Sequence, residues 1–311
     1  MISSIFGKTK PINYVIVLGF VFVFYCLIFF LRSEQSYSLN ELALQLIVLG
    51  ALLFSFFIVN FIARRNQITE SNTFAIYFYT LFIVLFPETI TDNNAVMCSF
   101  FLLLSQRRLI SLRSLKNIKL KILDATLWVG VASLFYDWAI LFMILIFVGI
   151  YFYDPKNYKN WFVPLIGLSG LGIITLAFLM LTNNIGFLER HYRFSIDIDT
   201  TVYTWSTSGR LIGYIICTFL AGLFAFLRLG KAGLGRIITM RLIAIALVLA
   251  LLLTILKSSS GVFPVIVTFF PGAILFTKYT EVIKKAKLKE LVLIISLLIP
   301  FIVLAADLIR K

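Results

Sequence analysis

Histidine occurs once in the 311 residues, at His191. Sites that need a cluster of imidazoles are therefore excluded, among them a bis-histidine haem, a di-iron centre and a polyhistidine carotenoid-cleaving site. The three cysteines, Cys26, Cys98 and Cys217, lie inside apolar runs without CxxC spacing. They read as small buried hydrophobes, so neither a metal site nor a cofactor is expected. Charge is scarce as well: Asp, Glu, Lys and Arg make up 14% of the chain, against 61% hydrophobic residues and 32 Phe. With a mean hydropathy of +1.01, a soluble fold of this length is excluded, because it could not bury so much apolar surface.

What is present is a succession of apolar runs that approach or exceed the roughly 20 residues a helix needs to cross the hydrocarbon, without the short alternating segments of an outer-membrane barrel. The fold class is all-α, a polytopic transmembrane helical bundle of about 11 helices. The runs predict helices near 12–31, 42–63, 72–86, 94–106, 118–135, 137–153, 161–182, 209–227, 238–256, 261–278 and 290–307. The first run is too long for a signal-peptide core and has no small-residue cleavage site after it, so it reads as a retained span. No soluble domain is expected on either side of the bundle. Function would then be built from helices and their connections.

Charge predicts orientation. With the N-terminus cytoplasmic, 21 of the 28 basic residues fall on the inside, in clusters such as Arg64 and Arg65, Arg107 and Arg108, and Lys284 to Lys289. The acidic residues distribute the other way, nine outside and five inside. This alternation satisfies the positive-inside rule through every connection. A net charge of +14 is thereby explained by topology and contact with anionic lipid, and nucleic acid is not an expected partner. The expected location is the bacterial inner membrane. Two glycine groups remain. Gly230, Gly233 and Gly235 lack the strand and spacing of a phosphate loop and read as a turn. Gly167, Gly170 and Gly172 predict close helix packing.

Four polar constellations fall on the outside. The first is LFPETITDNNAV, residues 85–96. Pro87 should end one helix, and Asp92 or Asn93 should cap the next. Helices of about 15 and 13 residues on either side would recess this turn below the membrane surface, where polar backbone is tolerated only if it is buried or lines a wet cavity. Glu88 and Asp92 are then candidates for a pocket. The second is Asp137 in LFYDWAI, either a cap or part of the same cavity, between the interfacial anchors Tyr136 and Trp138. The third is the long external loop 183–210, which carries Arg190, His191, Arg193 and Arg210 with Tyr192, Tyr203 and Trp205, and in which FSIDIDT hints at a short extended piece. The fourth is KSSSGVFP, where Lys257, Ser260 and a helix N-terminus could form an anion site or an ordinary cap.

The opening MISSIFGKTKPINYVIVLGF, with the length and span pattern, resembles a family of uncharacterised integral membrane proteins of flavobacteria and other Bacteroidota. LFPETITDNNAVMCSFFLLLSQRR is more weakly similar to the third and fourth spans of membrane-embedded C-type glycosyltransferases. That resemblance implies a polyprenyl phosphate-linked sugar as the lipid partner at the external face, with Glu88, Asp92 or Asp137 as catalytic base. Arg190, Arg193, Arg210, Lys257 and Ser260 would grip the lipid phosphate. The first external connection, RSEQSYSLN, is far shorter than in those enzymes and carries only Glu34. The rival expectations are a transporter or flippase, which would place ionisable residues at the membrane midplane, and a non-catalytic scaffold subunit of an envelope complex.

Overall fold

The computed structural model of the chain describes residues 2–32, 38–194, 205–227, 233–257 and 264–309. Every regular element among them is helical: α1 (Ile2–Phe6), α2 (Pro11–Arg32), α3 (Leu39–Arg65), α4 (Phe74–Leu85), α5 (Asn93–Ile110), α6 (Ile118–Ser133), α7 (Met143–Tyr153), α8 (Tyr158–Leu181), α9 (Gly186–His191), α10 (Trp205–Leu227), α11 (Leu234–Leu256), α12 (Ile266–Val282) and α13 (Ala286–Ile309), with 3-10 turns at Pro87–Ile90, Ser111–Ser114 and Asp137–Phe142. Seven helices are long and apolar enough to cross a membrane, namely α2, α3, α5, α8, α10, α11 and α13. The chain is therefore a membrane-embedded helical protein.

Helix length follows position in the bundle. α8 and α13 lie at the periphery and present most of their surface outward, where only an unbroken apolar helix keeps its backbone satisfied against lipid. α4 has 12 residues, about 18 Å at 1.5 Å per residue, and is buried on all sides from Phe74 to Val84. It packs chiefly against α12, α13 and α3. Because α4 is enclosed by protein, the connection after it can lie below the surface. α5 runs to Ile110 and spans 18 residues, longer than the sequence pattern predicts, so of the two helices beside this turn only α4 is short.

Aromatic rings lock the centre. Phe82 of α4 meets Tyr214 of α10 at 5.0 Å between centroids and Phe269 of α12 at 5.7 Å. Buried hydroxyls in this apolar core satisfy themselves: Thr80, Thr126, Thr254 and Thr277 each donate to the carbonyl four residues back, a bond open to Thr without any partner helix. The predicted small-residue packing holds at one glycine of three. A Cβ on Gly167 would sit 3.0 Å from Cγ2 of Thr126, whereas Gly170 and Gly172 have open space within 4 Å. Cys98 is buried, Cys26 is half-buried and Cys217 is exposed, all with free thiols. The exposed Cys217 departs from the buried reading, because its helix face points outward from the bundle.

Candidate functional site

Pro87 and Asp92 act where the sequence places them. α4 stops at Leu85, Pro87 opens a single 3-10 turn, and Asp92 caps α5 with Oδ1 accepting from the amides of Asn94 at 3.0 Å and Ala95 at 3.1 Å. Those two bonds satisfy orphan donors at the helix start. The second oxygen of Asp92 accepts the hydroxyl of Tyr136 from the connection between α6 and α7. Burial first, and then the Asp92 charge, push the Tyr136 phenol well above its ordinary value, so it remains a donor.

Glu88 faces away from Asp92, toward Arg210 on α10. Arg210 Nη2 lies 2.9 Å from Glu88 Oε1, and Nη1 lies 2.8 Å from Asp307 Oδ2 on α13. Nη1 also reaches the carbonyl of Leu85 at 3.4 Å. The Arg210 side chain is only 9% exposed, and its guanidinium takes a carboxylate on each arm, which suits its planar fork. One turn along α10, Tyr214 is held by the α4 and α12 rings, and this fixes where Arg210 emerges. A residue in the connection after α4, one on α10 and one near the end of α13 are thus tied together.

Asp137 occupies the first position of its 3-10 turn and is 1% exposed. Its Oδ1 accepts from the amide of Trp138 at 3.0 Å and lies 3.2 Å from Nζ of Lys257, at the end of α11. Its Oδ2 is buried and has no hydrogen-bond partner among the described residues. Around the same connection, the hydroxyls of Ser133 and Tyr192 are 2.9 Å apart. His191 Nε2 donates to the Ser133 carbonyl at 2.7 Å, the only sense that bond allows. Burial raises the Tyr192 phenol, a bond with Ser133 opposes this, and the charge of Asp137 adds to the rise.

Of these polar groups, Glu88, Asp92, Asp137, Arg210 and Lys257 lie at one end of the bundle. They form two clusters, Glu88–Arg210–Asp307 and Asp137–Lys257 with Tyr192, linked through Asp92 and Tyr136. Arg190 and Arg193 are exposed and bond to carbonyls of their own segment, at Gly186 and Glu189. Residues 183–210 are not one long loop: α9 and the start of α10 occupy part of them. The extended piece suggested by FSIDIDT, and Tyr203, lie outside the described residues. Ser260 also lies outside them, and α12 begins at Ile266 with Val265 at its N-cap. Asp307 and Ser133 are site residues that none of the four polar constellations includes. For Asp307 the charge asymmetry was a usable signal, because it placed a scarce carboxylate on the same side as Arg210.

No model of a known family, no curated protein and no solved structure matches the chain.

Proposed function

We propose that the protein handles a polyprenyl phosphate-linked sugar at the external face of the bacterial inner membrane, as a glycosyltransferase-like bundle with Asp137 as the proton acceptor. The observation that carries this reading is the buried Oδ2 of Asp137, which has no hydrogen-bond donor among the described residues. A buried carboxylate oxygen without a donor is costly, and the hydroxyl of an acceptor supplies the missing bond. In this reading the acceptor oxygen attacks the anomeric carbon, its proton passes to Asp137, and the sugar–phosphate bond breaks to release the lipid phosphate. Lys257 is the cation set beside that carboxylate, and it meets the departing phosphate. Arg210, with a carboxylate on each arm, shapes the site and does not grip phosphate.

A non-catalytic envelope subunit is the second reading, favoured by the pairing of Arg210 with Glu88 and Asp307, which ties three elements together. The two separate on purification of the intact chain in mild detergent. The glycosyltransferase-like reading expects polyprenyl phosphate to be retained by the wild type and lost from Lys257→Gln. Asp137→Asn, compared with the wild type at equal amounts of folded protein in detergent, should lose sugar transfer from a polyprenyl phosphate donor. A wild type that retains no polyprenyl phosphate and instead carries a stoichiometric protein partner overturns the leading reading in favour of the scaffold.

A further inference from the structure

The opposite end of the bundle, where α3 and α5 finish and α6 begins, holds a second concentration of charge. A cavity of about 510 Å³ is lined there by Arg65, Arg107, Arg108, Arg113 and Lys121, with Asn66, Gln67, Ser111, Ser114 and Phe61. No carboxylate lines it among the described residues. One stands behind it: Asp124 Oδ2, 3.0 Å from Arg108 Nε. Two of the other cations are held by neutral groups. Arg113 Nη1 donates to the Asn66 carbonyl at 2.9 Å, and Lys121 Nζ donates to the Ser111 carbonyl at 2.7 Å and to Ser114 Oγ at 2.6 Å. Carbonyls and hydroxyls orient a cation without cancelling its charge, so the positive field in the cavity survives.

Orientation alone accounts for basic residues at this end, and helix dipoles favour them in last turns. Neither effect requires five of them to converge on one concavity, where they repel. The loops that shape it are themselves strained: Gln67 (φ 50°), Leu115 (φ 52°) and Asn117 (φ 50°) are left-handed without being glycine. Gly235, at the start of α11, lies against the Arg113 guanidinium, and a Cβ there would meet Nε at 2.6 Å.

A second cavity, of about 640 Å³, continues from the first and shares Phe61, Arg65 and Arg107 with it. It is otherwise lined by Phe54, Phe57, Ile58, Asn60 and Arg64. Residues 54, 57, 58 and 61 fall on one face of α3 by helical spacing, and Phe54, Phe57 and Phe61 are exposed. The Arg107 guanidinium lies 4.6 Å from the Phe61 ring centroid and joins the basic chamber to the apolar trough. A basic chamber that opens into an outward-facing phenylalanine trough has the shape and charge of a seat for an amphiphile.

We infer that this end binds one anionic phospholipid, its phosphate headgroup in the chamber of Arg65, Arg107, Arg108, Arg113 and Lys121 and an acyl chain along Phe54, Phe57 and Phe61. The inference is independent of the proposed function, since Asp137 and Lys257 lie at the other end. The test uses the full chain in phosphatidylcholine nanodiscs, titrated with phosphatidylglycerol and followed by native mass spectrometry. One phosphatidylglycerol should bind in preference to phosphatidylcholine. The double variant R65Q/R107Q should weaken it roughly tenfold or more, as loss of two headgroup cations implies. The matched K284Q/K285Q, which removes two exposed lysines from outside the cavity, should leave it unchanged within about twofold, and so should Lys257→Gln.

Equal weakening by both double variants would reduce the effect to general surface charge and overturn the site. Displacement of the lipid by inorganic phosphate at comparable concentration would overturn the lipid assignment in favour of a free anion. Should R65Q/R107Q fail to fold, a photoactivatable phosphatidylglycerol probe on the wild type decides. Labelling within 54–67 and 104–114 supports the site, and labelling confined elsewhere refutes it.

Discussion

Asp137 and Lys257 stand 3.2 Å apart, one in the turn before α7 and the other at the end of α11, with the carboxylate almost wholly buried. Removing either partner strands the other's charge. Asp137→Asn or Lys257→Gln should therefore lower stability, by about 3 kcal/mol where the surviving charge stays buried. The double variant should recover part of that loss. Thermal midpoints of the detergent-solubilised chain, followed by size-exclusion chromatography, measure this coupling. Strictly additive losses would mean that the pair does not interact.

Arg210 is the shared partner of Glu88 and Asp307. Arg210→Gln removes one cation from both Glu88 and Asp307 and should cost more than Glu88→Gln or Asp307→Asn, each of which removes one of its ion pairs and keeps the other. A gap of about 1–2 kcal/mol between the arginine variant and either carboxylate variant is expected. Chemical or thermal unfolding of the three single variants checks that order.

At Asp92 the cap and the tyrosine contact separate by chemistry. Asn is as good a cap as Asp, so Asp92→Asn should keep α5 capped, whereas Asp92→Ala should lose about 1 kcal/mol from the cap alone. Hydrogen exchange of the Asn94 and Ala95 amides reports the cap directly. It should rise in the alanine variant and remain near wild type in the asparagine variant.

Tyr136 predicts an alkaline effect. Its folded-state ionisation is raised by burial and by Asp92, so the folded chain holds this proton more tightly than the unfolded chain does. That contribution to stability is complete below the ordinary tyrosine value of 10 and is lost as pH rises above it. The thermal midpoint of Tyr136→Phe should fall less steeply above pH 10 than that of the wild type. Parallel curves would exclude Tyr136 as a source of the effect.

Gly167 and Gly170 supply a matched pair on α8. Leucine at 167 must push into Thr126 and Leu123 of α6, while leucine at 170 enters open space. Gly167→Leu should destabilise by about 1–3 kcal/mol, as overpacking does, and Gly170→Leu should be near neutral. Thermal midpoints of the two variants in one detergent give the comparison.

Local features were legible in the sequence because their causes act within a helical turn. Pro87 lacks an amide and ends α4, and Asp92 offers a carboxylate oxygen to amides two and three residues ahead. Apolar runs long enough to span a membrane locate six of the seven long helices, all but α5. The length of α5 was misjudged because Ser105, Gln106, Arg107 and Arg108 look like the end of a span. Ser105 and Gln106 are buried, and the backbone ladder continues to Ile110. The single pocket expected around Glu88, Asp92 and Asp137 resolved into two clusters, since Glu88 and Asp92 point from one short connection to different partners.

By itself, then, the sequence determined a membrane-embedded all-helical chain, the sites of its breaks and caps, and the imbalance of charge between its connections, because hydropathy and backbone hydrogen bonding are read residue by residue. Only the tertiary structure decided that Arg210 belongs to Glu88, 122 positions away, and to Asp307. It also decided that Lys257 belongs to Asp137, and that five cations from α3, α5, the 3-10 turn after α5 and α6 converge on one chamber. A charge in an apolar bundle takes its partner from whichever helix packs beside it, and that neighbour is set by the fit of distant apolar faces.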